Sequence, residues 1–180
     1  MFEYLKWWIY WYPHRVIFWI FIILIVFIAS NYILKEAKLS NDKVRNCVII
    51  FFPSYLVTLF VGTIGLRGVG ESYNYNFSFF WSLRAALNGD YKVFYQVIEN
   101  IIIFIPIGMS FFVLFSKKVF SALLVSTLIS LIVEVAQLVT YRGLCEFDDV
   151  IFNSLGAIIG IKIATNFYRN SHKRQADSED

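Results

Sequence analysis

Glu134, Gln137, Arg142, Asp148, Asp149 and Asn153 fall within 20 residues of a chain otherwise built of long apolar runs. Glu134 and Gln137 stand near the end of one run, and Asn153 stands early in the next. Placing an ionisable group in hydrocarbon costs several kcal/mol, roughly 2.5–3.5 even on lenient insertion scales, so such groups are partnered or functional. A carboxylate at that depth can exchange protons or orient a headgroup, and an amide can donate and accept at once. Glu134 with Asp148 or Asp149 is the candidate acid–base pair, because that chemistry needs two carboxyls of different proton affinity. Asn100, Glu134, Gln137, Arg142, Asp149 and Asn153 form the candidate ligand-binding set.

Each of these residues also has a structural reading. Glu134 could pair with Arg142 or hydrogen-bond to Asn153 or Asn100. Asp148 and Asp149 precede an apolar run, where carboxylates cap helices and meet the positive end of the dipole. Arg142 suits a phosphate or carboxylate contact as well as it suits anchoring at the interface. Gln137 and Asn100 are weaker alone, because buried amides often tie helices together. Cys145 has no base beside it in sequence and is read as incidental.

The elements that must position these residues are membrane helices. The chain is 58% hydrophobic and 16% charged, with a mean hydropathy of +0.62; soluble domains carry about 25% charge. A net charge of +3 is too small to point to nucleic acid. Two cysteines and two histidines far apart in sequence form no metal-ligand pattern, and no cofactor motif is present. No internal repeat is seen either, which disfavours an inverted-repeat transporter.

Spanning hydrocarbon takes about 20 apolar residues as a helix. Residues 16–34, 47–66, 97–115, 119–139 and 150–167 qualify, giving an all-α integral membrane bundle of about five spans. The aromatic segment before the first span suits the headgroup belt. Pro106 with Gly108 predicts a kink in the third span. Pro53, Gly62 and Gly65 in the second would admit a close neighbour. Only residues 116–118 join the third and fourth spans, so these form an antiparallel hairpin. The long connector 67–96 carries SFFWSLRAALNG, which predicts an interfacial helix ended at Asn88-Gly89. Residues 1–66 are thus an N-terminal segment with two spans, 67–168 a three-span core, and 169–180 a polar, disordered tail.

Nine connector Lys and Arg residues lie on one face, in shorter segments, against six on the other. The positive-inside rule then puts the N-terminus outside and the C-terminus in the cytoplasm of a multi-pass cell-membrane protein. Glu134 falls about 8 Å below the outer boundary, from a rise of 1.5 Å per residue. Gln137 shares its face. Asn153 lies one turn inside the fifth span and Glu99-Asn100 in the first turn of the third, so polar groups from three spans meet in the outer leaflet. Asp149, Asn153, Gly156 and Gly160 follow one stripe of the fifth span, with the glycines read as helix packing.

Asn100-x5-Pro106-x-Gly108, Glu134-x2-Gln137, Arg142 and Asp148-Asp149-x3-Asn153-x2-Gly156-x3-Gly160 resemble the VanZ-like family in order and spacing, over residues 67–160. Tyr75-Asn76 and FWSLRAAL resemble its first block, although Phe79 stands where that family would have proline. The resemblance implies a bacterial cell-envelope membrane protein whose family namesake is linked to resistance to teicoplanin. It implies no reaction. The expectation is a non-catalytic protein whose outer-leaflet pocket holds membrane lipid, a lipid-linked cell-wall precursor or the glycopeptide itself. An apolar rim from the long connector would surround a floor of Glu134, Arg142, Asp148, Asp149 and Asn153. The alternative is an intramembrane enzyme using paired carboxylates on a lipid-linked headgroup; a small transporter is the third reading.

Overall fold

The computed structural model describes residues 41–65, 67, 69–70 and 75–176. The first expected span and the aromatic segment before it lie outside the described residues. In chain order the elements are α1 (Asn41–Phe60), a π-helical turn (Val61–Gly65), β1 (Tyr75–Asn76), α2 (Trp81–Leu87), α3 (Tyr91–Leu114), α4 (Val119–Val139), β2 (Cys145–Glu146) and α5 (Phe147–Ala176). Among the described residues, four helical stretches are long and apolar enough to cross a membrane: Val44–Gly65, Tyr91–Leu114, Val119–Val139 and Phe147–Arg169. The chain is an all-α membrane bundle, with one short pairing of β1 and β2.

The connector helix forms where the pattern places it. α2 ends at Asn88, and Gly89 takes φ 95, a left-handed conformation that glycine adopts without strain. α3 then starts earlier than expected, at Tyr91 rather than 97. The Asp90 side chain accepts from the Lys92 and Val93 amides at 3.0 and 3.2 Å, so the cap starts a helix through YKVFYQ before hydrocarbon is reached. α5 likewise starts at Phe147 and continues through Ala176, into the segment expected to be a disordered tail. No Gly or Pro interrupts residues 161–176, and basic residues near a helix C-terminus are favoured by its dipole.

α3 and α5 make the most extensive contact in the bundle. Its basis is a glycine seam. A Cβ on Gly156 would overlap the Ile101 carbonyl, one on Gly160 the Ile105 carbonyl, and one on Gly108 the Ala157 carbonyl. Gly65 behaves differently. Its added Cβ would meet only its own Val61, at 3.6 Å, so among the described residues it admits no close neighbour. Pro106 sits inside a continuous α3 and removes a donor from the ladder. Nearby, the buried Tyr55 hydroxyl donates to the Ile103 carbonyl at 2.6 Å, linking α1 to α3.

α4 shows how the bundle sorts its polarity. Its inward stripe is Ala122, Ser126, Ser130, Val133, Glu134 and Gln137, while Leu124, Leu128, Leu131, Ile132, Val135 and Val139 are exposed. Lipid rewards the apolar outer face, and the inner face can then carry small and polar groups that bond across helices.

Candidate functional site

The site lies at the end of the bundle where α4 finishes and α5 begins. Tyr75 and Asn76 pair in parallel register with Cys145 and Glu146, which pins the 140–146 connector to the chain leaving the π turn. Gly70 N–H donates to the Tyr141 carbonyl at 2.6 Å in the same region. The backbone amide of Glu146 donates to Glu134 Oε2 at 2.9 Å. This bond brings the connector down onto α4, and Glu134 is only 2% exposed.

Glu134 is part of a carboxylate cluster. Glu146 and Asp149 share a hydrogen bond and both lie in electrostatic reach of Glu134, while the Asn100 side chain of α3 hydrogen-bonds Asp149. The Arg67 guanidinium is within reach of all three carboxylates. Burial, with Asp149 and Asp148 nearby, pushes the Glu146 carboxyl up to about 8 although Arg67 opposes the shift. Burial, with Glu134, Asp149 and Glu146 nearby, also raises the Cys145 thiol. Cys145 is a buried neighbour of the cluster beneath β1, not an exposed thiol.

Arg67 is positioned by a turn that the sequence offered as a simple span end. A π-helical turn shifts the backbone ladder to i→i+5, and its carbonyls seek other donors. Gln137 Nε2 donates to the Thr63 carbonyl at 3.4 Å. Arg142 Nη1 donates to the Gly65 carbonyl at 2.9 Å and the Arg67 carbonyl at 3.3 Å. Gly143 has φ 153, and an added Cβ would come within 2.6 Å of Arg67 Nη1 and 3.1 Å of Gln137 Oε1. A side chain there would displace the guanidinium. Arg142 is thus a clamp on the backbone that presents Arg67, and Arg67 is the cation facing the carboxylates.

Asp148 has a different task. Its Oδ1 accepts from the Phe80 amide at 2.6 Å, and its Oδ2 accepts from the Ser82 amide at 2.9 Å and the Ser82 hydroxyl at 2.6 Å. It caps α2 from outside that helix, where Phe80 in the left-handed region supplies no side-chain cap. Its place on the expected floor is therefore taken by this capping role. Deeper in, Asn153 Nδ2 donates to Ser130 Oγ at 2.8 Å, one turn below Glu134. Two acceptors here are buried without partners, Gln137 Oε1 and Asn153 Oδ1. Unmatched buried groups cost about 1–3 kcal/mol each. Among the described residues no three of His, Cys, Asp and Glu come together in a way that could hold a metal ion.

The structure brings Asn100, Glu134 and Asp149 together, with Gln137 held at the π turn on one side and Asn153 one turn deeper on the other. It adds Arg67 and Glu146. Glu146 stands in the acidic connector and was visible by type; Arg67 reads as a topology marker until β1 meets β2. On the connector and at the start of α5, Tyr75, Phe77, Phe79, Phe80, Leu87 and Phe147 are exposed. Tyr75 stacks on Phe77 at 5.2 Å, and Phe79 meets Phe147 edge to face at 4.5 Å.

Residues 15–168 match the sequence model of the VanZ/LLP1 family. The chain belongs to the VanZ/LLP1 family. The match reaches well upstream of residue 67, so both the first expected span and the Arg67 turn belong to the VanZ/LLP1 region. Comparison with curated proteins and with solved structures gives no match.

Proposed function

We propose that this VanZ/LLP1 protein is a binding protein of the cell envelope, which holds the polar headgroup of an amphiphile at the Arg67 cluster. The observation that carries the reading is the convergence of Glu134, Glu146 and Asp149 on Arg67 beside an exposed aromatic rim. A headgroup bonds to the polar layer while its chain lies along Phe77, Phe79 and Leu87. With the orientation expected from Lys and Arg, the layer sits in the outer leaflet, where a lipid-linked wall precursor or a lipidated glycopeptide of the teicoplanin type is met. Sequestering either one alters how such a drug reaches its target.

The test uses a fluorescent lipidated glycopeptide and the purified full chain. Saturable binding that weakens about tenfold in Glu134→Gln is the expected outcome, a substitution that keeps shape while removing charge. Binding that is non-saturable, or unchanged in the variant, overturns this ligand choice and site. A second reading, an intramembrane enzyme, is favoured by one observation: Glu146 is held up to about 8 beside Asp149, a proton affinity suited to a general acid near neutral pH. An enzyme converts a lipid-linked substrate and loses turnover, with binding retained, in Glu146→Gln.

A further inference from the structure

At the end of the bundle opposite the carboxylates, a cleft of about 540 Å³ opens at the α3–α4 turn. Its lining changes character along its length. Ser116, Lys118 and Ser121 stand at the turn, and Phe120, Leu124 and Val125 continue down α4. From Lys118 to Val125 the helix rises about 10 Å, roughly two thirds of one leaflet of a 30 Å hydrocarbon core. The two neighbouring lysines are used differently. Lys117 lies over the Tyr168 ring, 4.2 Å from its centroid, and is tied to α5. Lys118 is exposed, lines the cleft and has no ion-pair partner among the described residues. The Ser116 and Ser121 hydroxyls also lack partners there, whereas Ser126 one turn on donates to the Ala122 carbonyl. No Asp or Glu occurs from Asn100 to Val133 or from Val150 to Ala176, so α3, α4 and α5 bring only positive charge to this end.

We infer that this cleft seats one anionic phospholipid, with its phosphate at Lys118, Ser116 and Ser121 and an acyl chain along Phe120 and Leu124. Charge complementarity selects the head. An ammonium and two hydroxyls can all donate, and a phosphodiester offers negative charge and acceptor oxygens to each of them. The apolar stretch selects a lipid, because a soluble phosphate leaves Phe120 and Leu124 unused. A zwitterionic lipid brings the same phosphate with an added ammonium, and no carboxylate lines the cleft to meet it. Basic clefts at a membrane edge recognise anionic headgroups in this way. The lysine stem lies along apolar surface while its ammonium stays at headgroup level. With the orientation expected from Lys and Arg, the lipid belongs to the inner leaflet. The inference is independent of the headgroup reading at the other end of the bundle.

A preference carried by one lysine exchanges freely with bulk lipid, so it is read inside the bilayer rather than after extraction. The full chain is placed in phosphatidylcholine nanodiscs holding a trace of phosphatidylglycerol or phosphatidylcholine with the same diazirine-bearing acyl chain. After illumination, the crosslink yield on residues 114–125 is measured by peptide mass spectrometry. The phosphatidylglycerol probe is expected to exceed the phosphatidylcholine probe by about fivefold. The ratio is expected to fall to about one in Lys118→Gln and, independently, in Ser121→Leu, which fills the cleft without changing charge. Lys117→Gln removes the same charge from the same turn and is expected to keep the ratio, as is Lys92→Gln at the opposite end. Equal loss in Lys117→Gln and Lys118→Gln shows diffuse surface attraction and overturns the cleft. Equal yields for the two probes in the wild type, or a ratio that Lys118→Gln and Ser121→Leu both keep, overturn it as well. Displacement of the probe by millimolar glycerol 3-phosphate overturns the lipid and leaves a soluble phosphate in its place.

Discussion

At the scale of single residues, the acidic connector divides its labour. Asp148 takes three hydrogen bonds from the start of α2, so Asp148→Ala strands the Phe80 and Ser82 amides and the Ser82 hydroxyl. A loss of about 2–3 kcal/mol in detergent unfolding is expected, with Ser82→Ala costing about 1 kcal/mol. Glu146 contributes to the pH dependence. Its proton affinity in the fold is about 8 against an ordinary 4.5, so the fold favours its protonated form. The stability from that preference is complete below about 4.5 and is lost as pH rises through about 8. Thermal unfolding between pH 5 and 9 should show the decline, and Glu146→Gln should make it shallower; an unchanged slope in the variant contradicts the assignment. The types and spacing of Glu134, Gln137, Asp149 and Asn153 made it legible that polar groups gather toward one end of the bundle, since position along a helix follows from residue counts. Asp148 and Glu146 could not be told apart in this way, because CEFDD offers three carboxylates and only tertiary contacts choose their partners.

At the scale of elements, apolar length and glycine spacing made the helices and the α3–α5 seam legible. Gly156 and Gly160 read as packing positions, and the Ile101 and Ile105 carbonyls lie where a Cβ would be. Gly156→Ala therefore forces the two backbones apart, and an expected loss of about 2 kcal/mol or more can be read from unfolding in detergent. Gly65→Ala, with only Val61 at 3.6 Å, should cost less than about 1 kcal/mol. Helix ends were harder to read than helix interiors. The Asp90 cap lengthens α3 beyond its apolar run, and the π turn at residues 61–65 depends on Gln137 and Arg142 from another part of the chain. The β1–β2 pairing, two residues on each side, has no periodicity to announce it. Topology is tested on a background with both native cysteines replaced by serine, because Cys145 is buried. With α2 outside, a membrane-impermeant thiol reagent labels Leu87→Cys in intact cells and leaves Lys118→Cys, at the opposite end of the α3–α4 hairpin, unlabelled. The reverse pattern inverts the orientation.

At the scale of the whole molecule, a small bundle sets its least stable chemistry at one end and surrounds it with apolar surface. Leucines and an isoleucine on α4 are exposed, serines and Glu134 face inward, and aromatic side chains are exposed on the connector before α3. The family was legible because its polar positions recur in order along three helices. The partner of the carboxylates was not, because Arg67 reaches them only when a turn more than sixty residues upstream folds against Gly143. The central claim is that this end of the bundle holds the headgroup of an amphiphile at the carboxylate–arginine cluster. Native mass spectrometry of the full chain and of Glu134→Gln, extracted in parallel from the membranes that produced them, tests it most directly. The wild type is expected to retain one amphiphile adduct that the variant loses at equal helical content; the same adduct on both, or none on either, contradicts the account.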